Sequence, residues 1–182
     1  SPEPAYRIIS IDHAKDLRKL SEDCSYDAFS RGIKVILNAD IDLKDEDFIP
    51  IPIFAGIFDG GGHTIKGLSV AVEGSNQGLF RYLEEGAIIR DLKVQGAVTP
   101  TGEKSTIGGL VGYNQGTIEN CEFSGYIKGK DIVGGLAGWN GSSGTITDSW
   151  TKGAIYGRRK VGGIAGYNTG TILSCTNESS VN

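Results

Sequence analysis

The chain has 182 residues, a formal net charge of −4, 22% charged residues, 28 glycines and no methionine. That length sets a single structural domain as the prior, the acidic balance argues against a dedicated nucleic-acid binder, and no apolar run is long enough to cross a membrane as a helix. The chain opens "SPEPAY" and shows no apolar h-region, so a signal peptide or anchor is expected outside these residues, in a longer multidomain chain.

After "YRIISI", the segment "DHAKDLRKLSEDC" predicts a short amphipathic helix over about 13–25, with Asp12 as N-cap and Ala14, Leu17, Leu20 and Cys24 along one face. "IKVILNADIDL" predicts a strand over about 33–43. Residues 1–54 are therefore expected to form an N-terminal cap, because the first unit of a stacked array otherwise presents a bare apolar end and open strand edges. The acidic run at 38–47 offers Asp40, Asp42, Asp45, Glu46 and Asp47 as candidate Ca²⁺ ligands. It lacks the spacing and central glycine of an EF-hand loop, so a solvated turn is expected, with no metal and no cofactor.

From about residue 55 onward the chain repeats itself. "GGLVGYNQGTIENC" at 108–121 returns as "GGLAGWNGSSGTITDS" at 134–149 and "GGIAGYNTGTILSC" at 162–175. Aligning the glycine–aliphatic pairs gives a column Ile57, Leu79, Leu110, Leu136, Ile164, with steps of 22, 31, 26 and 28 residues. A second column, Ile65, Ile89, Ile118, Ile146, Ile172, keeps step with a third, Leu68, Leu92, Cys121, Ser149, Cys175. The pieces are short, rich in glycine and apolar at near-alternate positions, which reads as strands between turns. Units this small cannot bury their own apolar side, but stacked at about 4.8 Å per step they share a core. The expectation is all-β: a parallel β-helix of about five coils over 55–182. The ending "CTNESSVN" stops part-way through a unit; either the array continues, the favoured reading, or the polar tail folds over the last coil.

Stacking turns every repeated position into a file along the axis. Cys121 and Cys175 fall in one file with Ser149 between them, so their Cα atoms are expected about 9.6 Å apart, beyond the reach of a disulfide; Cys24 is expected to be a third buried thiol. Asn114, Asn140 and Asn168 are expected to form an asparagine ladder at a bend. Tyr82, Tyr113, Trp139 and Tyr167 precede that bend and form either a half-buried corner of the core, the favoured reading, or an exposed platform for sugars or a partner. The basic clusters at 128–130 and 157–160 place Lys128, Lys130, Arg158, Arg159 and Lys160 at equivalent turns, with Lys104 one coil earlier. They form a candidate patch for an anionic polymer, weighed against an ordinary solvated edge. A threonine file (Thr64, Thr117, Thr145, Thr171) lacks the equal coil lengths that an ice-binding face needs.

Catalytic candidates are sparse. Asp59 and His63 in "FDGGGHTI" suggest an acid and its partner, but Asp59 is expected to bond the turn amides and His63 a backbone carbonyl. The file Gly67, Asp91, Asn120, Asp148, Ser174 holds two carboxylates two coils apart, about 9.6 Å, a separation within the range of an inverting glycosidase. Local side-chain to turn hydrogen bonding explains the same Asx and Ser pattern, so no catalytic residue is assigned.

The words "GGLVGYNQGTIENCEFSG" resemble the GLUG repeat of bacterial surface and secreted proteins, and "FAGIFDGGGHTIKGLSV" at 54–70 is similar to the opening coil that precedes such repeats. The resemblance covers roughly residues 30–178. It implies a right-handed β-helix of the pectin-lyase-like type in an extracellular or cell-surface setting, as in adhesins and the non-catalytic regions of immunoglobulin-A-cleaving metallopeptidases. The zinc motif of such a peptidase is absent: His13 and His63 lie 50 residues apart and neither is followed by Glu. Three functions follow as expectations: a structural or adhesive module, a carbohydrate-binding module using the aromatic file, and, with least support, a polysaccharide-cleaving enzyme. The expected partner is a host or cell-surface protein or glycan, with no nucleic acid and no direct membrane insertion.

Overall fold

The structure is a computed structural model describing residues 5–182. Every strand pairs in parallel with the strand one turn before or after it, so the chain winds as a β-solenoid of about six turns. The first sheet stacks Arg7–Ile11, Ile33–Leu37, Ile57–Asp59, Ile88–Arg90, Thr117–Glu119, Thr145–Thr147 and Thr171–Leu173. The chain then bends into the second sheet: Ile41–Asp42, Thr64–Val70, Lys93–Val98, Glu122–Lys128, Trp150–Tyr156 and Thr176–Val181. It returns along the third: Ile51–Phe54, Phe80–Leu83, Val111–Asn114, Ala137–Asn140 and Ala165–Asn168. In the later turns a short fourth sheet, Ile107–Gly108, Asp131–Gly134 and Arg159–Gly162, sits between the second and the third.

Alternation sets which side chains enter the shaft. On the first sheet Ile9, Val35, Phe58, Ile89, Ile118, Ile146 and Ile172 stand in one register. Those from Val35 to Ile146 are fully buried, and burying a side chain of this size is worth about 1.5–3 kcal/mol. Leu110, Leu136 and Ile164 are consecutive neighbours, the Leu110 N–H donating to the Leu136 carbonyl and the Leu136 N–H to Ile164.

The doubled glycines have a physical cause in the third and fourth sheets. A β-carbon on Gly109 would lie 2.5 Å from Cγ of Phe123, and one on Gly135 would lie 2.5 Å from Cγ2 of Thr151. The second glycine of each pair is thus the space into which an inward side chain of the second sheet packs. Midway along the second sheet, Gly96, Gly125 and Gly153 stand in register with φ of 156°, 150° and 121°, and a β-carbon on Gly125 would run into the Gly96 carbonyl. Only glycine fits that close approach.

The opening of the solenoid differs from the expectation. The coil count is about six, not five, because strands before residue 55 already keep the coil register: Lys34 faces Ile57 and Ile41 faces Ile65. The predicted strand over 33–43 is two strands, broken at 38–40 where the chain rounds a corner from the first sheet to the second. Four columns slip in the first repeat. Ile57 lies beside Ile88 on the first sheet, while Thr64, Ile65 and Leu68 lie beside Lys93, Val94 and Gly96 on the second. Phe58, not Ile65, heads the isoleucine ladder, because the "DGGGH" corner falls between them and carries everything after it onto the next face.

The helix (α1, Ala14–Asp23) closes the N-terminal end with Leu17, Leu20 and Cys24 buried. Its N-cap is His13, not Asp12: the Asp16 carboxylate accepts the N–H groups of Asp12 and His13, both at 3.0 Å, while Asp12 accepts from the Asn38 side chain at 3.0 Å. Ser21 Oγ donates to the Ile49 carbonyl and Arg18 to the Asp47 carbonyl, tying the helix to the coil beneath. A single turn (α2, Asp27–Ser30) follows. At the other end residues 176–181 do not fold over the last coil; they pair as a strand with Trp150–Tyr156.

Candidate functional site

The third sheet carries the aromatic file. Its strands place Ile53, Tyr82, Tyr113, Trp139 and Tyr167 in one outward register, one residue before the file Phe54, Leu83, Asn114 and Asn140, all buried, which continues to the exposed Asn168. The asparagine ladder forms as expected: Asn114 Nδ2 donates to Asn140 Oδ1 at 2.8 Å and Asn140 Nδ2 to Asn168 Oδ1 at 2.9 Å. This ladder fixes the bend and so fixes the spacing of the rings beside it.

Tyr82, Tyr113 and Trp139 are half-buried and Tyr167 is 37% exposed. Successive ring centroids lie 6.4, 5.0 and 5.3 Å apart, with interplanar angles of 63°, 90° and 58°. Edge-to-face packing uses up ring faces against one another, so the file is a corrugated strip and not a flat platform. Its polar ends are occupied: Gln115 Nε2 donates to the Tyr113 hydroxyl at 2.8 Å and Trp139 Nε1 to Thr169 Oγ1 at 3.1 Å. Cations lie near two of the rings, with the Arg81 guanidinium 5.6 Å from the Tyr82 centroid and Lys160 Nζ 4.2 Å from that of Tyr167.

At the N-terminal end of the strip a cleft of about 620 Å³ opens, lined by Arg31, Ile53, Tyr82, Leu83, Glu84, Glu85, Tyr113 and Gln115. Arg31 Nη2 and Glu84 Oε2 are 3.3 Å apart across it. Of these, only Tyr82 and Tyr113 were legible beforehand. Glu84, Glu85 and Gln115 stand at corners whose sequence varies from coil to coil, which hides them from a search for repeated words.

The basic residues differ in what they touch. The backbones of Lys104, Lys130 and Arg158 stack at one corner, the Lys130 N–H donating to the Lys104 carbonyl and the Arg158 N–H to that of Lys130. However, Arg158 donates through Nε and Nη2 to both oxygens of Asp131, at 3.1 and 3.0 Å, and that hydrogen bond holds the Asp131 carboxyl below its ordinary range. Lys160 turns away onto Tyr167. Arg159 stands in register with Asp131, and Lys128 lies on the second sheet beside Tyr156.

The catalytic candidates are engaged elsewhere. Asp59 accepts the Gly61 N–H at 2.9 Å and pairs with Arg90 at 3.3 Å. His63 does not bond a backbone carbonyl; its Nδ1 lies 3.3 Å from Asp40, one coil earlier. Asp40 also accepts the Thr64 N–H, which, ahead of His63, lowers its pKa. Asp91, Asn120, Asp148 and Ser174 all take left-handed backbone with φ of 50–55°, and Asn120 Nδ2 donates to Asp91 at 2.7 Å. Gly67 lies outside that file, against the corner at Lys44 and Asp45. Thr117, Thr145 and Thr171 form an outward row, without Thr64. In the acidic loop Asp42 accepts the Lys44 N–H and Glu46 lies 3.7 Å from Arg18. Among the described residues no three His, Cys, Asp or Glu converge as a metal site.

All three cysteines are free. Cys24 and Cys121 are fully buried, and burial pushes both thiols up to about 12. Ser149 Oγ accepts the Cys121 N–H at 3.0 Å, so the serine stands between Cys121 and Cys175 as the file requires. One exposed feature escaped the sequence altogether. Tyr126 and Tyr156, 39% and 36% exposed, pack together on the second sheet at 5.3 Å; they sit on a diagonal, Tyr126 facing Ala154 and Tyr156 facing Lys128, so no column aligns them.

Compared with known proteins, residues 105–128 match the GLUG motif. The chain is also similar to halomucin of Haloquadratum walsbyi (strain DSM 16790 / HBSQ001), 40% identical over 99 residues. That alignment takes in 54% of this chain but 1% of the halomucin. No solved structure matches.

Proposed function

We propose that this solenoid is a non-catalytic structural or adhesive module of a cell-surface or secreted protein. The observation that carries the reading is how the repeated residues are used. The glycine pairs receive inward side chains, the asparagines bridge coils, the Asx corner takes left-handed backbone, and the aliphatic files fill the shaft. What recurs is what holds one turn to the next, which is the economy of a rigid spacer. The GLUG motif and the similarity to a protein named as a mucin support a surface setting. Antibodies raised against this chain should label intact producing cells or their secreted material; label only after permeabilisation overturns the surface assignment. The isolated chain should also release no reducing ends from acidic or neutral polysaccharides, and release abolished by Asp91→Asn and Asp148→Asn would replace this reading with an enzymatic one.

A second reading, glycan recognition by the third sheet, is favoured by one specific observation. The only outward file of rings runs uninterrupted through four coils and ends in a cleft that mixes aromatic, carboxylate, guanidinium and amide groups among the described residues. Tryptophan fluorescence of Trp139 on addition of oligosaccharides tests it, and no response to any glycan counts against it.

A further inference from the structure

The cleft at the head of the aromatic strip exists because two neighbouring files shrink at the same turn. In the outward file Tyr167, Trp139, Tyr113 and Tyr82 are followed by Ile53. In the corner file the N–H of Gln115 bonds the Leu83 carbonyl and that of Glu84 bonds the Phe54 carbonyl, so Gln115 stacks on Glu84 and Glu84 on Ala55. Isoleucine is shorter than tyrosine and alanine shorter than glutamate. The Tyr82 ring therefore lines open space together with Tyr113, and Arg31, paired with Glu84, lines the same space.

We propose that this cleft binds a short uncharged oligosaccharide, with one pyranose lying against the part of Tyr82 that lines the cleft and its hydroxyls bonded by Glu84, Glu85, Gln115 and Arg31. An aromatic wall beside a few convergent polar groups is the usual lining of a small-molecule site. The ring covers the C–H face of a sugar, and carboxylates and a guanidinium serve its hydroxyls with charge-assisted hydrogen bonds. The volume of about 620 Å³ accommodates more than a single ring. The sign of charge selects the class: two glutamates face one arginine, so uronic acids and sulfated sugars meet a net negative lining and are disfavoured. This inference rests on the glycan reading of the third sheet and adds to it a place and a charge class.

The test is binding of the whole chain to a glycan array containing neutral, uronate and sulfated oligosaccharides, followed by titration of the best neutral ligand against single-residue variants. Tyr82→Ala and Glu85→Gln each weaken binding roughly tenfold or more, the scale of losing one well-placed contact, whereas Tyr126→Ala, an exposed ring on the second sheet, leaves it unchanged. Circular dichroism spectra matching the parent chain establish that the variants fold, and Glu85→Gln, on an exposed corner, keeps the test open should Tyr82→Ala misfold. Neutral binding lost with Tyr167→Ala or Trp139→Ala but kept with Tyr82→Ala and Glu85→Gln overturns the location and leaves the glycan reading standing. A preference for uronate or sulfated ligands overturns the charge class. Binding to no glycan overturns both, and binding only of peptides through Tyr82 assigns the cleft to a protein partner instead.

Discussion

The two ends of the shaft are held together by different physics. In the N-terminal turns Phe54, Phe58 and Phe80 meet at centroid distances of 5.3–6.1 Å, with Phe48 also fully buried. Toward the C-terminus the same files dwindle and turn polar. Phe80 is followed in register by Val111, Ala137 and Ala165; Leu83 by Asn114, Asn140 and Asn168; Phe123 by Thr151 and Asn177. The isoleucine ladder from Ile89 to Ile172 stays constant. One coil cross-section can thus be filled either by large rings or by smaller side chains that hydrogen-bond along the axis: Thr151 Oγ1 to the Gly163 carbonyl at 2.9 Å, Asn114 to Asn140 at 2.8 Å. The comparison predicts that core truncation harms the first end most and loss of a polar bridge harms the second.

The largest effect is expected from Phe80→Ala. It removes the ring that touches both Phe54 and Phe58 and leaves a cavity between turns, costing about 3–5 kcal/mol. Val111→Ala, the next position of the same file, should cost only about 1–2 kcal/mol, because the following coil already accepts Ala137 there. Urea denaturation followed by circular dichroism measures both. Equal costs would mean that the aromatic cluster confers nothing beyond its bulk.

An intermediate effect tests the other end. Asn140 is fully buried; its Nδ2 donates to Asn168 and to the Gly144 and Thr171 carbonyls, and its Oδ1 accepts from Asn114. Asn140→Leu restores the residue type found at Leu83, two coils earlier in the file. Despite the gain in apolar surface it should lose about 2 kcal/mol, since several buried bonds vanish at once and buried partners left unmade cost more than a made bond returns. A leucine variant as stable as the parent would make the ladder an accident of sequence, not the fastener of these coils.

The same contrast explains what the sequence revealed. From Leu110 onward the glycine pairs, isoleucines and asparagines recur because each is dictated by its neighbour one turn away, so the register was readable and the contacts among Leu110, Leu136 and Ile164 follow it. Before Leu79 the coils are filled by phenylalanines set by one another's shape, and the "DGGGH" corner shifts the count between Phe58 and Thr64; spacing therefore assigned Ile57, Ile65 and Leu68 to the wrong files. The aromatic strip was readable for the same reason as the asparagines beside it. The cleft was not, because it is made by an absence, Ile53 and Ala55 where larger residues stand one turn later, and an absence repeats nothing. The basic clusters were readable as stacked corners, but the pairing of Arg158 with Asp131 was not, since Asp131 lies just outside the words that repeat.

The smallest effect belongs to the thiols and is invisible at neutral pH. Cys121 occupies the file that continues as Ser149, and its thiol, like that of Cys24, is held protonated up to about 12 by burial. The unfolded thiol ionises near its ordinary value of 9.0. With the folded value raised, both states carry the proton below pH 9 and stability is unaffected; above it the unfolded chain releases protons that the folded chain retains. Stability therefore falls as pH rises from about 9 toward about 12, by about 1.4 kcal/mol per pH unit for each such thiol. Cys121→Ser puts in the residue that the next coil already uses and removes one titrating group while leaving every lysine and tyrosine in place. Denaturation at pH 8 and pH 10 should show the parent losing about 1.4 kcal/mol more than the variant between the two. Equal losses would mean that Cys121 is reached by solvent, and that the polar end of the shaft is looser than its hydrogen bonds imply.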